Sequence, residues 1–148
     1  MKNKPDAKNQ ALRFLEVMDR TESELRKKLK DKDYSDDEVN EAIDFVKSYN
    51  YINDDRYARI YIESSRNKKS RKKIEYDLRG KGLTKEVILG AFEDCEPFSE
   101  TELIEKLAQK KLGSEMPDYM KLQKVKSYLA GKGFCLSDIN EVLSKYLT

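Results

Sequence analysis

The residues of this 148-residue chain with the most chemistry in common are cationic. Between Ser64 and Lys85, the segment SSRNKKSRKKIEYDLRGKGLTK sets Arg66, Lys68, Lys69, Arg71, Lys72, Lys73, Arg79, Lys81 and Lys85 against only Glu75 and Asp77, a local balance of +7. The next stretch inverts the sign: Glu86, Glu93, Asp94, Glu96, Glu100, Glu102 and Glu105 follow without a Lys or Arg, a balance of −7, although the whole chain carries only +2. A basic run of this kind is either a solvated helix face, a contact for acidic protein surface, or a contact for nucleic-acid phosphates with salt-sensitive binding. Charge alone does not choose among these. Tyr76 lies off the Ile74/Leu78 apolar stripe and beside the cations, which makes it the aromatic placed to act as an exposed interface anchor.

Catalytic constellations are missing. The chain has no histidine, which removes the commonest general base and zinc ligand and every nucleophile–His pairing. The glycines of RGKGLTK do not have phosphate-loop spacing and read as helix-ending residues. The adjacent pairs Asp36-Asp37 and Asp54-Asp55 have carboxylates that suit a hard cation, but both stand at expected helix starts, where negative charge is favoured at about 0.3 to 1 kcal/mol each. Capping accounts for them without a metal. Cys95 and Cys135 have neither the number nor the spacing of a disulfide framework or zinc site and read as reduced thiols. The expectation is a non-enzymatic protein with no cofactor, metal or small-molecule substrate.

These side chains need elements to position them. Apolar residues recur at three- and four-residue steps, as in Leu12, Leu15, Met18 and in Val39, Ala42, Ile43, Val46, the period of amphipathic helices. Thr21 with Glu24, Ser35 with Glu38 and Ser99 with Glu102 match capping boxes, and Asp54, Ser70, Thr84 and Ser137 are candidate N-caps. With Pro117 near another start, the sequence predicts about nine helices. The residues MKNKPDAKNQ lack the apolar stretch of a signal peptide and are expected to form a flexible arm over 1–10. No apolar run approaches membrane-spanning length, so the chain is expected in the cytoplasm. Tyr, Leu, Ile, Val and Phe recur throughout despite a mean hydropathy of −0.86, which argues for a folded chain with a thin core.

Three segments align without gaps: LRKKLKDKDYSDDEV from Leu25, IEYDLRGKGLTKEVI from Ile74 and VKSYLAGKGFCLSDI from Val125. Each carries apolar residues four apart (Leu25/Leu29, Ile74/Leu78, Val125/Leu129), then Lys32, Lys81 or Lys132, then Asp33, Gly82 or Gly133 where a helix end favours a left-handed residue. Tyr34, Leu83 or Phe134 follows, placed to fold back onto the helix. A further amphipathic helix precedes each segment. The expected fold is therefore all-α, with three-helix repeats at 11–53, 54–97 and 98–148 stacked into an elongated, curved array.

With that architecture, Ile52-Asn53-Asp54-Asp55-Arg56-Tyr57-Ala58 and Leu78-Arg79-Gly80-Lys81-Gly82-Leu83 resemble the bacterial RecX recombination regulators. Arg20 to Leu29 in the first repeat and Gly131-Lys132-Gly133-Phe134 in the third support the likeness, which runs from about Ala11 to the C-terminus. The resemblance implies binding to RecA filaments on DNA, along their helical groove, with restraint of ATP hydrolysis, strand exchange and co-protease activity. It makes the RecA filament the expected partner, with single- or double-stranded DNA as a further one, and Arg66, Lys68, Lys69, Arg71, Lys72, Lys73, Tyr76, Arg79 and Lys81 the candidate contact surface. Within the Asp54-Asp55-Arg56-Tyr57-Ala58 motif, Asp54 is expected to cap a helix, and the motif as a whole to be mainly structural. Asp33 stands where the family usually has glycine after the first-repeat leucines, and Lys69 or its neighbours replace a glycine before the second-repeat helix; the second departure strengthens the basic segment. The rival reading is a helical DNA-binding module that grips phosphates without RecA.

Overall fold

The three- and four-residue apolar spacing becomes a set of short helices with one buried stripe each. In the computed structural model, which describes residues 4–97 and 99–146, the described residues form nine α-helices and no strand. The helices are α1 (Ala7–Val17), α2 (Glu22–Asp31), α3 (Asp36–Ser48), α4 (Asp54–Ser65), α5 (Arg71–Gly80), α6 (Lys85–Glu93), α7 (Glu100–Leu112), α8 (Tyr119–Gly131) and α9 (Leu136–Leu143). The fold is all-α, three helices to each repeat.

Helix starts follow the sequence signals in most places. Thr21 and Ser35 each close a full capping box with Glu24 and Glu38, while Ser70 and Thr84 accept from Lys73 N and Val87 N. Four expectations need correction. Residues 7–10 belong to α1 rather than to a flexible arm, because Asp6 caps that helix through Asn9 N at 2.8 Å; residues 1–3 of the expected arm lie outside the described residues. Ser99 makes no side-chain cap: its ψ of 102°, against 158° to 175° at the hydroxyl and carboxylate caps, turns the hydroxyl away from the first-turn amides. Ser137 lies inside α9, whose N-cap position is Cys135. Asp54 does not cap α4, because Asn53 takes that place by accepting from Arg56 N at 3.0 Å.

Helix stops repeat with close fidelity. Tyr34, Leu83 and Phe134 donate their backbone N–H to Leu29, Leu78 and Leu129 O, while Asp33, Gly82 and Gly133 donate to Lys30, Arg79 and Ala130 O. That pair of bonds is the Schellman motif, with Asp33, Gly82 and Gly133 left-handed at φ 66°, 86° and 93°. Tyr34, Leu83 and Phe134 are buried as a result.

The chain divides into two compact units. One comprises the first repeat, α4 as far as Ile60, and Leu78–Asp94; in it α1 packs on α3 and α2 around Leu25, Leu29, Val39, Ile43 and Val46. The other comprises Tyr61–Asp77 and the chain from Cys95 onward; in it α7 packs on α9 and α8 around Ile104, Leu112, Leu129, Ile139 and Leu143. Each fully buried Leu or Ile contributes about 1.5 to 3 kcal/mol relative to exposure.

Each unit contains the same joint. In the first, Thr21, the N-cap of α2, donates its hydroxyl to Lys81 O at 2.6 Å, and a Cβ on Gly82 would stand 2.3 Å from Ser23 Cβ. In the second, Ser70, the N-cap of α5, donates its amide to Lys132 O at 3.1 Å, and a Cβ on Gly133 would stand 2.4 Å from Ser70 Oγ and 2.6 Å from Lys73 Cβ. Thr21 corresponds to Ser70 and Lys81 to Lys132, so the middle-helix start of one repeat meets the middle-helix stop of the next in both cases. Glycine is needed there for closeness as well as for its left-handed φ. Asp33, at the corresponding turn of the first repeat, is exposed.

Candidate partner-binding surface

The basic segment begins where α4 ends. Lys68 and Lys69 donate their amides to Ser65 O, forming a tight turn that delivers the chain to the Ser70 cap of α5. The turn folds Lys69 inward: its ammonium donates to Asp77 Oδ2 at 2.7 Å and to the Tyr61 hydroxyl at 2.9 Å, while Tyr61 donates to Asp77 Oδ2 at 2.8 Å. Lys73 reaches the other carboxylate oxygen at 3.2 Å. Burial pushes the Asp77 carboxyl up, but the hydrogen bonds from Lys69, Tyr61 and Lys73 outweigh it and hold the group below its ordinary range. The same bonds, from Asp77 first and Tyr61 second, raise the Lys69 ammonium.

Several other candidates are also engaged within the protein. Arg66 pairs with Glu63 at 3.2 Å and donates to Glu96 O and Pro97 O. Arg71 pairs with Glu75 at 3.1 Å, and its amide donates to Glu100 Oε1 at 2.7 Å. In the other unit, Lys81 lies 3.9 Å from Glu24 and over the Tyr57 ring. Lys68, Lys72 and Arg79 differ: all three are exposed, and among the described residues no hydrogen bond or ion pair engages their side chains. Tyr76 is 71% exposed, with the Lys73 ammonium 5.0 Å from its ring centre. The structure thus gathers Lys69, Lys73, Asp77 and Tyr61 into one network, and leaves Lys68, Lys72 and Tyr76 open to solvent in one unit and Arg79 in the other.

The Asp54-to-Ala58 motif serves its own unit. Asp54 accepts from Glu22 N at 3.0 Å, capping α2 from across the fold. Burial raises its carboxyl above the ordinary value. Beside it, Glu22 pairs with Lys47 at 2.8 Å, and that hydrogen bond first among the causes holds Glu22 low. The Arg56 guanidinium donates to Asn50 O and Tyr51 O, clamping the turn between α3 and α4. Tyr57 is half-buried, Ala58 fully buried and Asp55 partly exposed at the start of α4. No group of three or more acidic or cysteine ligands among the described residues is arranged to hold a metal ion, and no described helix is long and apolar enough to cross a membrane.

Sequence reasoning missed two features. One is the paired joint, whose only signal was Gly82 and Gly133 opposing Asp33 in the repeat alignment. The other is an aromatic stack at the end of α3. Tyr49 and Tyr51 flank the left-handed Asn50 (φ 58°) and stack at 5.6 Å with 16° between ring planes, with Phe45 edge-on to both.

Comparison with known proteins agrees with this architecture repeat by repeat. Residues 7–45 match the model of the RecX first three-helix domain, 53–91 the second and 99–143 the third. A regulatory protein RecX of Clostridium perfringens (strain 13) is 34% identical over 142 residues, covering 93% of this chain and 67% of that protein. One from Caldanaerobacter subterraneus subsp. tengcongensis is 36% identical over 141 residues, covering 94% and 70%. The chain thus spans about two thirds of the length of these relatives. A crystal structure of RecX from Lactobacillus salivarius superposes with a TM-score of 0.74 at 28% identity, covering 95% of this chain and 94% of that one. A second RecX crystal structure gives 0.74 at 30% identity, covering 93% and 71%.

Proposed function

This chain belongs to the RecX family of regulatory proteins, and on that premise we propose that it is a non-enzymatic cytoplasmic regulator that binds RecA filaments on DNA and restrains their ATPase, strand-exchange and co-protease activities. The observation that carries the reading is the match of all three repeats to the corresponding RecX domains. The contact set is Arg66, Lys68, Lys69, Arg71, Lys72 and Lys73 with Tyr76 in one unit, and Arg79 and Lys81 in the other. Within it, Lys68, Lys72 and Arg79 provide the charge available to a partner, while Lys69 and Tyr61 tie α5 through Asp77 and Lys73 pairs with the same carboxylate along that helix. Several weak contacts of this kind, made by successive repeats, add up through effective concentration without any single strong one.

The test is RecA-catalysed ATP hydrolysis and strand exchange on single-stranded DNA with the full chain added. Both rates fall with the wild-type chain, and Lys68→Glu/Lys72→Glu needs a higher concentration for the same effect. Unchanged rates at saturating protein would remove the proposal. The rival phosphate-binding reading makes a distinct prediction for bare DNA. Three available cations give a salt slope near −2.7, a loss of about 40-fold between 50 and 200 mM salt, whereas all eight cations of the set would give a slope near −7.2 and a loss of about 20,000-fold. The internal ion pairs of Arg66, Lys69, Arg71 and Lys73 favour the shallow slope, and with it DNA as an auxiliary partner.

A further inference from the structure

A cleft of 420 Å³ lies between the C-terminal half of α1 and the turn joining α3 to α4, wholly within the N-terminal unit. Its apolar surface comes from Leu12, Leu15 and Tyr51. Its rim carries Glu16 and Asp19, both exposed, and among the described residues neither forms an ion pair or hydrogen bond through its side chain. Arg56 also lines the cleft, but its guanidinium is turned to Asn50 O and Tyr51 O. Between the two carboxylates in sequence stand Val17 at 76% and Met18 at 53% exposure, and Tyr49, 61% exposed, stacks on Tyr51. Large apolar side chains left in water beside unpaired charge mark an interaction site more than a solvated face.

Hydrogen bonds hold the turn that carries the tyrosines. Asn50 N donates to Lys47 O and Tyr51 N to Val46 O, which fixes the left-handed turn, and Arg56 ties the same turn to α4. A preformed aromatic platform loses little entropy on binding.

We infer that this cleft binds a basic, apolar segment of a protein partner, one that sets a Lys or Arg against Glu16 and Asp19 and lays aliphatic side chains on Leu12, Leu15 and Tyr51. The sign of the charge selects the occupant. Stacked tyrosines also suit nucleic-acid bases, but the two rim carboxylates outnumber the single Arg56 guanidinium, which is turned to Asn50 O and Tyr51 O, and the net negative charge repels the phosphates that accompany the bases. The site is opposite in sign to the basic segment at the α4–α5 turn, so it recognises a different chemistry from the contact proposed above and does not depend on that proposal.

The experiment pans a random-peptide phage library on the full chain and, in parallel, on Glu16→Lys/Asp19→Lys. Both positions are exposed, and far-UV circular dichroism checks that the variant is folded. The wild-type chain enriches peptides in which Lys or Arg alternates with Leu, Ile or Val, and the consensus peptide binds the double variant at least about tenfold more weakly, the loss expected when two rim charges are reversed to face like charge. Tyr51→Ala, which keeps both carboxylates, also weakens that peptide. The inference is overturned if no family of peptides emerges, if the consensus lacks basic residues, if the charge-reversed chain binds it equally, or if a short oligothymidine displaces it from the wild-type chain.

Discussion

Gly82→Ala tests whether the two repeat joints are built by close approach or only by turn conformation. Gly82 sits at φ 86°, where an L-residue costs roughly 1 to 2 kcal/mol. The added methyl would also stand 2.3 Å from both Ser23 Cβ and Ser23 Oγ, so α2 must move away from the α5 stop. Moving it lengthens the 2.6 Å bond from the Thr21 hydroxyl to Lys81 O, a net loss of about 1 kcal/mol. Against these stands about 0.5 to 1 kcal/mol gained because alanine restricts the unfolded chain. Forcing the two elements apart adds about 1 to 3 kcal/mol of overpacking strain, so the expected net loss is about 2 to 5 kcal/mol, a large share of the 5 to 15 kcal/mol typical of a folded domain. Urea denaturation followed by far-UV circular dichroism reads it as a lower midpoint at similar slope. The comparison that isolates the cause is Gly82→Ala in a Ser23→Gly background. Removing the Ser23 side chain opens the space but leaves the backbone penalty, so the double variant recovers about half the loss and the two sites couple. Additive effects, or a single-variant loss no larger than the backbone cost, would show that Gly82 is there for its φ alone. Asp33→Gly, at the corresponding turn without this joint, is expected to be neutral or stabilising by up to about 1 kcal/mol.

Asp77→Asn strips the carboxylate from Lys69 and Lys73 and costs about 1 to 3 kcal/mol at neutral pH by urea denaturation. Because the folded Asp77 carboxyl lies below its ordinary value, its contribution is present above the unfolded value near pH 3.9 and disappears as acid carries the pH down through the folded one. The raised Lys69 ammonium gives the opposite limb, a contribution complete below the unfolded lysine value and lost as pH rises through the folded one. A gap between wild type and variant that stayed constant at both extremes would contradict the network. Asp54 behaves in reverse: its folded value is raised by burial, so the wild type gains stability as pH falls from above that value toward the unfolded one. Asp54→Asn, which keeps an acceptor for Glu22 N, should lose no stability at pH 7, while Asp54→Ala loses about 1 kcal/mol of cap; equal losses in both would refute the capping role.

How much of this was legible in the sequence depended on how local the physics was. Helix periods, the capping boxes at Thr21 and Ser35, and the three turns after Leu29, Leu78 and Leu129 involve residues within six positions of one another, and the structure follows them. Asp54 was misassigned because its partner, Glu22 N, comes from a helix far away in sequence, while the neighbouring Asn53 was equally suited to cap α4. Ser99 fits the capping pattern by residue type, yet at ψ 102° it makes no side-chain cap, a backbone angle that no capping pattern encodes. The acidic and apolar cleft was invisible for a similar reason: its two walls, α1 and the Asn50 turn, are separated by two helices in sequence.

The basic segment shows the same divide in its energetics. Two of its ion pairs, Arg71 to Glu75 and Lys73 to Asp77, have the helical spacing of four and could be anticipated once the helix was placed. Lys69 could not, because it reaches back to Asp77 from a turn that exists only when α4 and α5 have formed. Counting cations along the chain therefore overstates what a partner meets, since Arg66, Lys69, Arg71 and Lys73 each pair with a carboxylate on folding. Lys68, Lys72, Arg79 and Lys85 carry the field that survives, and exposed pairs such as Arg71 with Glu75 are worth too little, about 0.2 to 1 kcal/mol, to resist a partner that offers a better anion. Lys69 and Lys73 are held more tightly by the partly buried Asp77 and the Tyr61 hydroxyl. A partner at the proposed surface would accordingly recruit Arg71 before Lys69, because Asp77 keeps Lys69 and Lys73 paired within the unit.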